Sequence, residues 1–158
     1  MRVKAEAEAF RRIPLFAECD RAQLQVIAFA SERAEFAPGL TLIRQGQKGE
    51  AAYLILAGTA KVERTERGRT THIATAEAGA FVGEFGMIAG LPYSVSVTAA
   101  TDVSAARVRR ELFMRVVAEF PEFGAQVHAA LARKLDASVA ELKVVKTVFD
   151  KARSFGGR

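Results

Sequence analysis

The sequence predicts a mainly β domain framed by helices, its strands numerous enough for a sandwich, a jelly roll or a barrel. Three observations predict it. Between about residues 33 and 109, short alternating or apolar runs are separated by turn residues at strand-length intervals. Before and after that stretch, apolar residues recur at helical spacing. Half of the 158 residues are apolar, enough for one domain, 1–158, with a core of its own.

The elements follow in order. Residues 1–30 read as helical: in "CDRAQLQVIAFA", Asp20 stands as an N-cap answered by Gln23, and Leu24, Ile27 and Ala28 form an apolar face. The β region, 33–109, is punctuated by Pro38-Gly39, Gly46 to Gly49, Gly58, Arg67-Gly68, Ala78-Gly79, and Gly90 with Pro92. Between these lie the runs "LTLIRQ", "AYLILAG", "TAKVERT", "TTHIATA" and "SVSVTAATDVSAARV". From 110 to 150 the period is helical again. "RRELFMRVVAEF" is a short amphipathic helix that must stop before Pro121, because proline lacks an N–H and clashes with the preceding turn. A long helix over roughly 122–150 follows.

In that long helix Leu131, Leu135, Ser138, Leu142, Val145 and Phe149 are spaced 4, 3, 4, 3 and 4 residues apart. This is a heptad seam, and it predicts a dimer interface through these six positions. Val127, Val139 and Val144 broaden the stripe, which keeps packing against the chain's own β domain as the alternative.

Composition narrows the function. The net charge of +5 is dispersed in pairs such as Arg11-Arg12, Arg109-Arg110 and Arg133-Lys134, which is the pattern of a solvated surface. Cys19 is the only cysteine, so there is no internal disulfide, and a reducing, cytoplasmic location is expected. "MRVKAEAEAF" has no apolar signal core and no 18-residue apolar run exists, so no membrane span is expected. His72, His128 and Cys19 lie too far apart in sequence for a metal-site spacing, and no nucleophile–base constellation appears, so an enzyme is not expected.

The informative stretch is "FVGEFGMIAGLPYSVSVTA", residues 81–99. Its glycines let backbone N–H groups approach a ligand, which suits an anion. Glu84 in the same turn would repel that anion. A carboxylate only accepts hydrogen bonds, so its natural partner is a donor such as a sugar hydroxyl. Glycine-rich backbone for a phosphate beside a carboxylate for a ribose is nucleotide chemistry; a satisfied turn carboxylate is the alternative.

The stretch resembles the phosphate-binding cassette of the cyclic nucleotide-binding domain family, which reads Phe-Gly-Glu, an apolar helical turn, Pro-Arg, then a small-residue run ending Thr-Val-x-Ala. Here Val82-Gly83-Glu84, Phe85 to Leu91, Pro92, Tyr93, and Ser94 to Ala99 stand in those places. "RQGQKGEAAYLILAGTAKV" (44–62) resembles the family's first glycine turn and strand pair, and "IPLFAECDRAQLQVIA" (13–28) its opening helix.

The resemblance implies an eight-stranded antiparallel β-roll over 33–109 with an N-terminal helix and a long C-terminal helix. It implies cyclic AMP or cyclic GMP as ligand and no other cofactor. Glu84 would bind the ribose 2′-hydroxyl, and Gly83, Phe85 and Gly86 would line sugar and phosphate. Ser94 and Ser96 would supply phosphate-side donors, and Ser138 would reach the base from the C-terminal helix.

Two departures qualify it. The family's phosphate-pairing arginine is Tyr93 here, whose hydroxyl is a neutral donor at best, and no Lys or Arg occurs from 71 to 106. Arg44 and Lys48, in the neighbouring turn, are the candidates to replace it. The stretch from Asp150 onward is too short for the helix-turn-helix that follows this domain in transcription regulators, so direct DNA binding is not expected. The expectation is a free-standing, dimeric sensor that binds a cyclic nucleotide weakly and signals through its C-terminal helix. The alternative is a ligand-free interaction module that lost nucleotide binding with the arginine.

Overall fold

The computed structural model describes residues 2–134 and Phe149. The chain divides into two compact units, one formed by the first thirty residues with the chain from Glu111 onward, the other by Ser31–Arg110. These limits fall at the changes of periodicity that the sequence shows.

In the helical unit, α1 (Arg2–Arg11), a 3-10 turn (Pro14–Phe16) and α2 (Arg21–Ala30) precede α4 (Arg110–Glu119) and α5 (Pro121–Lys134). Asp20 caps α2 as expected: its Oδ1 accepts the Ala22 N–H at 2.8 Å, satisfying one of the donors that a helix start leaves without a partner. α4 ends before Pro121, and that proline then opens α5, where its missing N–H costs nothing. The core of this unit is aromatic. Phe16 stacks on Phe123 with ring centroids 6.0 Å apart, and Phe113 meets Phe123 at 5.5 Å and Phe149 at 6.1 Å. Burial holds the Cys19 thiol up at about 11, with the nearby Glu18 charge adding to it, so this cysteine packs rather than reacts.

Two of the six seam positions are placed in the structure. Leu131 is fully buried and Phe149 is 5% exposed, both within the single chain. Phe149 is held by the Phe113 ring and by Gly124, where an added Cβ would lie 3.4 Å from the Phe149 ring. Both side chains pack inside the protomer. Leu135, Ser138, Leu142 and Val145 lie outside the described residues.

The β unit is the expected antiparallel roll of eight strands in two sheets, β1 (Glu32–Phe36), β8 (Val103–Arg109), β3 (Ala51–Ala57) and β6 (Phe81–Val82) in one, β2 (Thr41–Ile43), β7 (Ser96–Ala99), β4 (Ala60–Glu66) and β5 (Arg69–Ala76) in the other. Ile43, Ile55, Ala60, Val97, Val103 and Ala105 are among the side chains that fill its core. The β4–β5 hairpin turns on Arg67 and Gly68, both at positive φ, the two-residue turn whose twist matches the flanking strands. The run 94–108 divides into β7 and β8 because the N–H groups of Ala100 and Thr101 turn to the Thr59 carbonyl. Strand β6 is only two residues long and lies inside the glycine-rich stretch, which carries helix α3 (Glu84–Ala89) next.

Phe113 meets three other rings of the aromatic cluster, Phe16, Phe123 and Phe149. Phe113→Ala is expected to cost about 3–5 kcal/mol, the usual range for a buried Phe truncated to Ala, measured as a fall in urea midpoint.

Candidate functional site: the β6–α3 turn

The turn begins where β6 gives out. Val82 pairs with Tyr53 of β3, and at Gly83 the backbone enters the left-handed region, φ 78° and ψ 10°, swinging the chain into α3. Glu84 is the first residue of α3 and is half-buried. A carboxylate at that position is favoured by the N–H groups and dipole of the first turn. The Met87 N–H bonds the Gly83 carbonyl at 3.1 Å, so the N–H groups of Phe85 and Gly86 lie ahead of the first intrahelical bond. α3 ends at Gly90, also left-handed, whose N–H returns to the Gly86 carbonyl. Gly49 lets this helix approach: a Cβ there would sit 2.2 Å from the Gly86 carbonyl carbon.

Tyr93 is a buried side chain of the roll core, 9% exposed. Its hydroxyl donates to the Ala51 carbonyl and accepts the Ala51 N–H at 3.1 Å. The register Tyr53↔Val82 would bring the chain past Gly83 alongside Ala51, but the chain has turned away by then. Tyr93 therefore satisfies the backbone groups of Ala51 that a longer β6 would have paired. Its ring lies against the turn, within 3.2 Å of a Cβ built on Gly83 and 2.9 Å of one built on Gly86. Burial is the main cause that raises the Tyr93 hydroxyl above its ordinary pKa of 10.0, with the Ala51 bond opposing it. With its one O–H given to the Ala51 carbonyl, the Tyr93 hydroxyl has no donor left for a phosphate oxygen.

The following residues are held from two sides. Ser96 Oγ accepts the Gln45 N–H at 2.9 Å and keeps its own hydrogen to donate. The Gln45 amide in turn bonds both backbone groups of Thr65, at 2.8 and 2.9 Å, tying the 44–48 turn to β4. Ser94 is exposed, and its carbonyl accepts from Arg64 Nε at 3.4 Å. Gly83, Glu84, Phe85, Gly86, Ser94 and Ser96 thus lie along one continuous segment, whereas Ser138 lies outside the described residues.

Of the cations suggested by sequence, Lys48 meets the cassette only through a backbone bridge to Pro92, and both Arg44 and Lys48 are exposed. Two other cations do reach the segment: Arg64, brought to Ser94 by the pairing of Glu63 with Ser96, and Arg110, whose guanidinium lies 2.9 Å from a Cβ built on Gly90 at the far end of α3. That pairing has no local sequence signal. Among the described residues no cluster of three or more His, Cys, Asp or Glu could hold a metal ion, and no helix is long and apolar enough to cross a membrane.

The model of the cyclic nucleotide-binding domain matches residues 33–120. The chain belongs to the cyclic nucleotide-binding domain family. A cAMP-dependent protein kinase regulatory subunit from Yarrowia lipolytica is 28% identical over 107 residues, 68% of this chain and 28% of that protein. The N-terminal domain of a transcriptional regulator from Streptomyces coelicolor A3(2) superposes with a TM-score of 0.72 at 27% identity, covering 80% of this chain and 91% of that one. The regulatory subunit of a cAMP-independent protein kinase A from Trypanosoma brucei superposes with a TM-score of 0.70 at 26% identity, over 92% of this chain and 51% of that one. The chain spans less than a third of the kinase regulatory subunits it first matches.

Tyr93→Phe keeps the ring and removes the hydroxyl, leaving the Ala51 N–H and carbonyl buried without this partner. The expected loss is about 1–3 kcal/mol in urea unfolding near neutral pH. Because the folded-state pKa is raised, the neutral hydroxyl's contribution is complete below pH 10.0 and is lost as the pH rises through the raised value. The gap between natural protein and variant therefore closes in strong alkali.

Proposed function

We propose that this chain is a regulatory sensor module that holds a small nucleotide-like ligand at the β6–α3 turn. The observation that carries the reading is the Gly83–Glu84 step: a left-handed glycine sets a carboxylate at the first position of α3, beside N–H groups that precede the helical ladder. A carboxylate there suits the hydroxyls of a ribose, and the backbone and the Ser96 hydroxyl suit an anionic group. The family to which the chain belongs supports a cyclic nucleotide. Tyr93, in the place of the family's arginine, supports weak rather than tight binding.

The ligand's effect would pass to the C-terminal helical segment. β8 ends at Arg109 and α4 begins at Arg110, so a roll strand runs straight into a helix without a linker. β8 is also the partner of β3, the strand that Tyr93 braces. A partner or second copy would meet the remaining seam positions, Leu135, Leu142 and Val145.

A second reading is a ligand-free interaction module. It is favoured by the Tyr93 ring, which lies over Gly83 and Gly86. Relatives of this fold include both a cAMP-dependent and a cAMP-independent regulatory subunit, so the fold alone leaves the choice open.

Isothermal titration with cyclic AMP and cyclic GMP separates the two. The sensor reading expects measurable binding to at least one, weakened about tenfold or more by Glu84→Gln, the range for loss of a charged hydrogen bond. Absence of binding by both at millimolar concentration would establish the second reading. For the dimer, Leu135→Glu with Leu142→Glu is expected to give a soluble monomer in sedimentation. An unmodified protein that already sediments as a monomer at tens of micromolar would assign the seam to the chain's own packing.

A further inference from the structure

The β4–β5 hairpin carries a cleft of about 750 Å³ lined by Arg64, Glu66, Arg67, Arg69, Thr71 and Ile73. Among the described residues, none of its three guanidiniums is within ion-pair distance of a carboxylate. Three guanidiniums against Glu66 leave the cleft lining cationic, with Glu63 the other carboxylate of β4.

Arg64 differs from the other two in what it reaches. Its Nε donates to the Ser94 carbonyl at 3.4 Å, which leaves the two terminal nitrogens for another acceptor. Ser94 directly follows Tyr93, whose ring lies against Gly83 and Gly86 on either side of Glu84 and Phe85. A full positive charge therefore arrives at the segment whose own stretch, 71–106, contains none.

We propose that Arg64, from β4, supplies the cationic contact for the phosphate of a ligand held at the Glu84 turn, in place of the residue at position 93. This rests on the reading of that turn as a sugar-binding site. A guanidinium always carries its charge and can grip two phosphate oxygens at once, so its contribution is large and specific to the anionic group.

The test is isothermal titration of the full chain with cyclic AMP and with adenosine, which shares base and ribose but has no phosphate. The proteins compared are the natural form, Arg64→Gln, Arg67→Gln and Glu84→Gln. The expected result is that Arg64→Gln weakens cyclic AMP about tenfold or more and adenosine by no more than about twofold. Arg67→Gln, at the turn of the same hairpin, should have a clearly smaller effect on cyclic AMP. Glu84→Gln should weaken both ligands. Arg64 is exposed, so unchanged thermal melting of Arg64→Gln is expected to show that the fold is intact.

Equal losses for Arg64→Gln and Arg67→Gln would overturn the proposal in favour of diffuse attraction. So would adenosine binding the natural protein as tightly as cyclic AMP. If Glu84→Gln weakens both ligands while Arg64→Gln weakens neither, the sugar-site reading stands and the role of Arg64 falls. If neither ligand binds the natural protein, both fall together.

Discussion

The bond between the Tyr93 hydroxyl and the Ala51 backbone governs the region around it. β6 is two residues long, and the backbone leaves β3 at Gly83. The N–H and carbonyl of Ala51 would then be buried without a strand beside them, at a cost of about 1–3 kcal/mol for each group left unsatisfied. One phenol answers both. To reach them its ring must pass over the turn, and that fixes what the turn can be. Any side chain at Gly86 would strike the ring, and any at Gly83 would strike Ile43 as well as require an unfavourable left-handed backbone. Gly49 meets the same constraint from the other side, where α3 presses directly on its Cα. The glycines that invite a ligand-binding explanation are therefore required first by packing. What they leave for a ligand is the row of N–H groups at the start of α3.

The roll was legible in the sequence because its signals are local. Turn glycines, alternating runs and the Asp20 cap each depend on a few neighbouring residues, and the strands lie between the turns that the sequence marks. The order of strands across a sheet is not local. Nothing in residues 60–66 or 94–99 announces that β4 pairs with β7, and without that pairing Arg64 and Ser94 are simply two residues 30 apart. The blank in charge between 71 and 106 was a correct count along the chain, yet the third dimension supplies the cation. Tyr93 failed for a related reason. A tyrosine after Pro92 reads as a surface residue unless one knows that β6 is too short to cover Ala51.

The C-terminal helix shows the converse problem, a pattern legible for two outcomes. Spacings of three and four residues serve a coiled-coil seam and the buried stripe of a helix packed in its own unit alike. Width separates them, and Val127 and Ala130 beside Leu131 make a stripe wider than a seam. Phe149 adds what spacing cannot express, a ring fitted against Phe113 and Gly124. The buried ends of the series thus pack in the aromatic core of the helical unit.

A turn braced from within has a consequence for sensing. A ligand shifts an equilibrium only by the difference in its affinity for the two states. Where a turn is ordered by the ligand itself, part of the binding energy is spent on that order, and the ordering is the signal. Here Tyr93 already holds the turn through Ala51, so a ligand at Glu84 finds the backbone in place and has little left to reorganise there. Outside the brace lie Ser94, Arg64 and the exposed β4–β5 hairpin, which is joined to the cassette through the Gln45 amide and the Arg64 bond. With a structural residue at position 93, the proposed phosphate contact would fall to Arg64 of β4. On the proposed reading β4 would carry the phosphate contact, and the braced turn would serve as a wall for the sugar.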